Sequence, residues 1–416
     1  MKSNESSSTI CSRARTGSFV RQEHWTTESP LSFAIQVLIP FLICGFGNLG
    51  AGLLLDMVQY WPIFMAMNEL IILVPALMGL KGNLEMTLAS RLSTAANCGL
   101  IDDFKEVWSI TKGNLALLQC QSTVVAFLAS IFAIINDFVE EKTIKKDHVF
   151  LLATSSVMTA NIASISLSSF MIIFVVLCRK FKINPDNVAT PIASSLGDVT
   201  TVALLAYISS FLMTWINDNV WTSSAILLFF LIITPLTAKY AFVNKYTKRI
   251  VCYGWLPIII AMVISSFAGV VLNKALKTFS QIASFQLVIN GNLVAIQASR
   301  ISTFLHQRLS CGDLPIDDEK VCILPCRAIC TCGPHARVAQ ILFLMAVPSH
   351  LLYVYVMLVL TLLYFSRILV FWIWKRKSDP DDCAIPLLTA TGDISGVLLL
   401  TLGFNIMRNL NDPIVK

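Results

Sequence analysis

Charge is what this sequence most lacks. Asp, Glu, Lys and Arg make up 13% of its 416 residues, against about 25% in soluble domains. Single cores stop growing near ~250–300 residues, so a water-soluble chain of this length would need two charged exteriors. The composition cannot clothe them, and a water-soluble enzyme is excluded. Histidine is scarce too: His24, His148, His306, His335 and His350 lie far apart, with no metal-ligand spacing. No phosphate loop of the G-x-x-x-x-G-K-[ST] kind occurs, so no ATP-hydrolysing domain drives the chain. Residues 1–30 hold no apolar segment of a secretory signal, and Glu5, Glu23 and Glu28 set them apart from an acid-poor mitochondrial presequence. They read as a polar cytosolic tail. The net charge of +6 sits in short clusters, which argues for membrane topology and against a nucleic-acid partner.

What is abundant is apolar sequence, 56% of the chain. A spanning helix needs about 20 mostly apolar residues, and candidates fall near 33–55, 61–80, 113–136, 149–178, 188–214, 221–243, 254–272, 281–299, 338–374 and 384–407. The expected fold is an all-α polytopic membrane protein in contact with lipid. Lys and Arg cluster at Arg179, Lys180 and Lys182, at Lys239, Lys245, Lys248 and Arg249, and at Lys375, Arg376 and Lys377. The connection around Asp218 has no basic residue. With the N-terminus inside, the first two clusters also face inside. The twelve Cys lie mostly in apolar segments and read as small buried hydrophobes, not a disulfide frame. Cys311, Cys322, Cys326, Cys330 and Cys332 share the 304–337 loop with His335 but lack a paired C-x-x-C, and read as reduced or lipidated thiols.

The chain repeats itself. Residues 82–94 match residues 291–303 at eight of thirteen positions, at a constant offset of 209. Pro185-Asp186 through Gly197-Asp198-Val199-Thr200 matches Pro380-Asp381 through Gly392-Asp393-Ile394-Ser395, at offset 195. A weaker match sets Pro40 and Gly52 against Pro257 and Gly269. The reading is two parallel five-helix repeats, 31–215 and 251–416, joined by a linking transmembrane helix and basic loop, 216–250. An odd number of spans per repeat plus one linking span makes them parallel, with a shared pathway between them.

Asp198 and Asp393 fall near the middle of their spans. A carboxylate at that depth costs at least ~2.5–3.5 kcal/mol and is functional by default; the bland reading, a buried ion pair, lacks a basic residue on either span. Ser194 and Thr389 stand one turn before them, on the same helix face. Ala189, Ala193 and Gly197, and Gly392 with Gly396, form small-residue ridges that allow close backbone approach, with or without a pathway. Asn83 and Asn292 occupy matched positions, as hard ligands or as helix caps after a Gly. Glu85 has no acidic mate, since Val294 stands there, and Glu69 is unmatched too. The ligand set is all oxygen, which suits Mg²⁺ and leaves Ca²⁺, Mn²⁺ and Na⁺ open.

The segment Pro75-Ala76-Leu77-Met78-Gly79-Leu80-Lys81-Gly82-Asn83-Leu84-Glu85-Met86-Thr87-Leu88-Ala89-Ser90-Arg91, with the two Gly-Asp helices, resembles solute carrier family 41, eukaryotic relatives of the bacterial MgtE magnesium channel. The likeness runs from about 31 to 410. It implies two fused MgtE-like repeats, Mg²⁺ as the transported ion, Na⁺ as a coupling ion in exporting members, and a pore aspartate mapping onto Asp198 and Asp393. It also implies homo- or hetero-oligomers with full-length family members, in the plasma membrane or an internal membrane such as the mitochondrial inner membrane. Two departures stand out. The polar tail cannot house the Mg²⁺-sensing domains of the bacterial channel. The second repeat is short and lacks the equivalent of about one helix: 85 residues separate position 113 from Asp198, but 55 separate position 338 from Asp393. Residues 338–374 are then one overlong helix or two abutting ones broken at Pro348-Ser349-His350. One helix would turn Lys375-Arg376-Lys377 outward or invert the last span. The alternative function is a non-transporting regulatory or partner subunit; a membrane-embedded enzyme finds no nucleophile–base or metal motif.

Overall fold

The computed structural model describes residues 30–409, apart from 68, 99–103, 142–145, 182, 217–219, 279–291, 310–311, 313–333 and 350–352. The N-terminal tail and Cys311, Cys322, Cys326, Cys330 and Cys332 lie outside the described residues. Thirteen helices are described: α1 Pro30–Val58, α2 Pro62–Ala66, α3 Glu69–Asn97, α4 Phe104–Glu141, α5 Lys146–Lys180, α6 Pro185–Ile216, α7 Val220–Val243, α8 Lys248–Tyr253, α9 Trp255–Thr278, α10 Asn292–Arg308, α11 Pro334–Ser349, α12 Tyr353–Lys375 and α13 Pro380–Asn409. Among the described residues, eight helices are long and apolar enough to cross a membrane: α1, α3 to α7, α9 and α13. The protein is an all-α, multi-pass membrane protein.

Local sequence sets the helix starts. Pro opens α1, α2, α6, α11 and α13, at the position where a missing N–H costs no hydrogen bond. Before α6, Asn184 Oδ1 accepts from the Asp186 N–H at 3.2 Å; before α13, Asp379 Oδ1 accepts from the Asp381 N–H at 3.0 Å. These are the side-chain caps expected of Asn and Asp ahead of a helix. Interior prolines (Pro40, Pro75, Pro191, Pro235 and Pro386) stay helical, as neighbouring helices and hydroxyls allow in a membrane.

Burial sorts the spans. α3 is almost wholly buried (94%), whereas α7 is 11% buried and presents Leu228, Phe229, Ile232 and Leu236 outward. With no water to drive helices together, small residues and polar contacts hold them. α4 and α5 are joined by Ser122–Ser164, Thr123–Asn161 at 2.9 Å, and Gln119–Asn161. α6 packs on α1 and α3, α13 packs on α9 and α3, and α10 touches both α6 and α13. The Asp-bearing helices α6 and α13 thus flank α3 and α10.

At Gly269 on α9 an added Cβ would sit 2.2 Å from the Ile72 carbonyl oxygen of α3. Backbone cannot yield as a side chain can. Gly269→Ala should destabilise the protein by about 1–3 kcal/mol, the cost of overpacking, while Gly82→Ala, with nothing within 4 Å, should not. Thermal unfolding in detergent checks this; equal stability of the two variants would contradict the close approach.

For 338–374, which sequence leaves as one helix or two, the structure gives two: α11 ends at Ser349 and α12 begins at Tyr353, so the second half is shortened within its helices and is not missing one. They run antiparallel, because the His335 ring at the start of α11 meets Phe371 in the last turns of α12 at 6.3 Å, and Phe304 of α10 at 4.7 Å. α11, with 16 residues, reaches only ~24 Å at 1.5 Å per residue, short of a ~30 Å hydrocarbon core. The hairpin therefore starts and ends on one side. α12 closes with Lys377 in the left-handed region (φ 61°) and the Ser378 N–H on the Ile373 carbonyl, a Schellman-type stop. The Arg249 guanidinium donates to the Lys377 carbonyl, so the last basic cluster lies with the 245–249 cluster. Lys375-Arg376-Lys377 need not face outward, nor does the final helix invert.

Candidate functional site

Asp198 is buried on α6, with Ser194 buried one turn before it. Asp393 is half-buried on α13. Where Gly79 of α3 passes α13, a Cβ would lie 2.3 Å from Ser265 Oγ and 3.8 Å from Asp393 Oδ2. The glycine keeps a three-helix crossing of α3, α9 and α13 open beside that carboxylate. One turn back, Thr389 Oγ1 hydrogen-bonds to Asn83 Oδ1 of α3 and also approaches the Ile385 and Pro386 carbonyls at 3.0 and 3.1 Å. Asn83 is 2% exposed, and its Nδ2 has no hydrogen-bond partner. A buried amide left half-satisfied is uncommon. It leaves an N–H donor in this layer, open to a water or carbonyl oxygen.

Other sequence-predicted residues part company here. Glu85, fully buried, accepts from Ser168 Oγ of α5 at 3.0 and 3.2 Å through its two oxygens. It lies two residues from Asn83, about 200° around the helix, and faces α5 while Asn83 faces α13. Glu69 pairs with His148 Nδ1 at 3.5 Å at the other end of α3. Asn292 opens α10, and its side chain lies outside the described residues.

A second polar layer went unread as a site. The ends of α3 and α10 meet the starts of α6 and α13 there. Ser90 Oγ donates to Asp381 Oδ1 at 2.7 Å and Thr94 Oγ1 to Asp381 Oδ2 at 2.9 Å. From α10, Ser299 Oγ donates to Asp186 Oδ1 at 3.0 Å, and Thr303 also hydrogen-bonds Asp186. Ser90 meets Ser299 at 2.9 Å and Thr94 meets Thr303 at 3.1 Å. Every one of these residues lies in a segment that matches another at offset 209 or 195. That was the available signal, but Ser and Thr on an apolar helix also read as packing residues.

Around this layer the charges are paired. Arg91 meets Asp382 at 3.2 Å with both side chains 11% exposed. Arg300 lies over the Phe33 ring at 4.6 Å and donates to Asn187. Asn97 donates to Asn184 Oδ1 at 3.2 Å; at the equivalent offsets His306 Nε2 meets Asp379 Oδ1 at 3.1 Å. Burial works to raise the Asp379 pKa, but His306, the Asp381 N–H and Arg249 hold it below the usual carboxylate range. The ligand atoms of His306, Asp379 and Asp381 lie within 4.8 Å of one another, close enough to share a metal ion.

The comparisons with known proteins fit this chemistry. Residues 74–208 and 286–402 match the MgtE family model, described as a divalent cation transporter. Solute carrier family 41 member 2 of Xenopus laevis is 43% identical, covering 93% of this chain and 74% of its own length. The human member 2 is 44% identical, over 92% of this chain and 72% of its own. Member 3 of Rattus norvegicus is 42% identical, over 91% and 88%. No solved structure matches the chain. With two matched segments that each carry one polar-layered Asp helix, and relatives this similar over nearly the whole chain, the protein belongs to solute carrier family 41, within the MgtE divalent cation transporters.

Proposed function

We propose that this protein moves Mg²⁺ across its membrane between two matched halves, 31–215 and 251–416, past Asp198 and Asp393, with Na⁺ as the coupling ion for efflux. The observation that carries this reading is a carboxylate at equal depth on α6 and α13, each accompanied by a hydroxyl one turn earlier. The oxygen-only set of carboxylate, amide and hydroxyl suits a hard dication, and Mg²⁺ retains several waters while touching one or two carboxylates. Asn83 and Thr389 would steady that hydration shell, and Ser194 would do so from α6. Asn292 belongs to the same set by its matched position. Glu85, turned toward Ser168, serves the α3–α5 packing instead.

The second reading, a non-transporting partner of a full-length family member, rests on the shortened α11. Against it, the α11–α12 hairpin keeps the basic cluster with Arg249, so the shortening leaves the course of α13 unaltered. Mg²⁺ flux from purified protein in liposomes, with and without a Na⁺ gradient, separates the two. Transport predicts indicator-reported Mg²⁺ movement that steepens with the gradient. A partner subunit would move no Mg²⁺ alone yet alter the flux of a co-reconstituted full-length relative.

A further inference from the structure

Asp186 and Asp381 have no role in the pathway just described, yet both are 2% exposed. A buried carboxylate is costly unless a cation or a full set of donors meets it. Among the described residues, their side-chain hydrogen bonds come from hydroxyls and amides: Ser299, Thr303 and Asn97 on Asp186, Ser90, Thr94 and Ser302 on Asp381. Arg91 is taken by Asp382, and His306 by Asp379, from where it acts on Asp381 only through its field. Arg300 reaches Asn187 instead, acting on Asp186 only through its field.

Each hydroxyl has one proton. When Ser90 and Thr94 give theirs to Asp381, and Ser299 and Thr303 give theirs to Asp186, none remains for the Ser90–Ser299 and Thr94–Thr303 contacts at 2.9 and 3.1 Å. At each hydroxyl pair one proton is then claimed by two acceptors. An independent observation points the same way. Asn97, 7% exposed, donates its amide to Asp186 Oδ2 at 2.8 Å, while its own Oδ1 is buried with no hydrogen-bond partner. Thr190, one turn beyond Asp186 on α6 and 1% exposed, has a hydroxyl without a hydrogen-bond partner, able to turn either its proton or a lone pair outward. The Asn97 oxygen is an acceptor left unfilled beside two buried carboxylates, which a metal cation would correct.

We propose that this layer is a second divalent-cation site, in which the Asp186 and Asp381 carboxylates, the hydroxyls of Ser90, Thr94, Ser299 and Thr303, and the Asn97 amide oxygen hold a dication at the end of the pathway that carries the basic loops. Oxygen donors without thiolate select a hard ion of the Mg²⁺, Ca²⁺ or Mn²⁺ kind. The proposal rests on the transport reading for its role, not for its binding chemistry. Asp186, Thr190, Ser194 and Asp198 follow one another at spacing four along α6, each next to the last on the helix surface. They lead from this layer to the deeper acid over ~18 Å. An ion waiting there would be handed inward or released by a neighbour, as conduction through several moderate sites requires.

Mn²⁺ titration of the purified protein in detergent, followed by its electron paramagnetic resonance signal and competed with Mg²⁺, tests this. The Asp198→Asn/Asp393→Asn protein should still bind one Mn²⁺. Adding Asp186→Asn/Asp381→Asn should abolish that binding, and adding Ser299→Ala should weaken it at least about fivefold, the effect of one lost oxygen contact. Ser299→Ala leaves both carboxylates in place, so the proposal stays testable where the acidic variants fail to fold. Loss of all Mn²⁺ on Asp198→Asn/Asp393→Asn, or residual binding indifferent to Asp186, Asp381 and Ser299, overturns the proposal without touching the transport reading. Retained Mn²⁺ at this layer with normal flux in Asp198→Asn would overturn the transport reading and leave the site standing.

Discussion

Asp198→Asn should cut Mg²⁺ flux by roughly 10- to 100-fold, the equivalent of one charged contact worth about 1.5–3 kcal/mol. Asp393→Asn should do the same, since the account gives the two carboxylates one ion to share. The isosteric amide keeps the shape of the side chain and removes a charge from a position where charge is costly. The variants should therefore unfold at the wild-type temperature or above it. Loss of flux with undiminished stability separates a site from a structural role. Ser194→Ala and Thr389→Ala remove neutral oxygens and should lower flux only several-fold, by the smaller worth of an uncharged hydrogen bond. Normal flux in Asp198→Asn would remove the α6 carboxylate from the pathway.

The largest stability effect belongs to Arg91 and Asp382. They join the end of α3 to the start of α13 at 3.2 Å, each 11% exposed. Breaking a buried pair from one side leaves an uncompensated charge and costs about 3–5 kcal/mol, whereas removing both partners is often close to neutral. Arg91→Ala and Asp382→Ala should each lower stability by an amount near 3 kcal/mol, and the double variant should recover most of it. A double-mutant cycle from unfolding titrations in mixed micelles measures the coupling. Additive losses would mean that the two side chains do not act on each other.

Much of this molecule is legible in its residues, for reasons that differ along the chain. Membrane class follows from composition, and the helix starts at Pro185 and Pro380 follow from a proline placed just after Asn184 or Asp379. That Glu85 turns away from Asn83 was derivable as well, because two residues along a helix is half a turn. The α11–α12 break was harder. Within 338–374, Gln340, Arg367 and the Pro348-Ser349-His350 triplet break the apolar run, and α11 ends inside that triplet, at Ser349, with Pro348 still helical. Only where the chain folds back does parity decide. The layer of Ser90, Thr94, Asp186, Ser299, Thr303 and Asp381 was hidden because it is made entirely of distant pairs. Its hydrogen bonds join residues 113 to 291 apart. A hydroxyl on an apolar helix announces neither a partner nor a ligand. The asymmetry between Asn97–Asn184 and His306–Asp379 becomes visible only when those pairs are seen to touch.

The claim that one ion passes between α6 and α13 is tested most directly by asking whether the two acidic positions can grip a single soft metal. In a background without native cysteines, Asp198→Cys and Asp393→Cys, alone and together, can be reconstituted and exposed to Cd²⁺ during Mg²⁺ flux. The account predicts block at low Cd²⁺ in the double variant, with each single variant far less sensitive. Equal sensitivity of single and double variants would place the two side chains in separate environments, and the shared pathway would be lost.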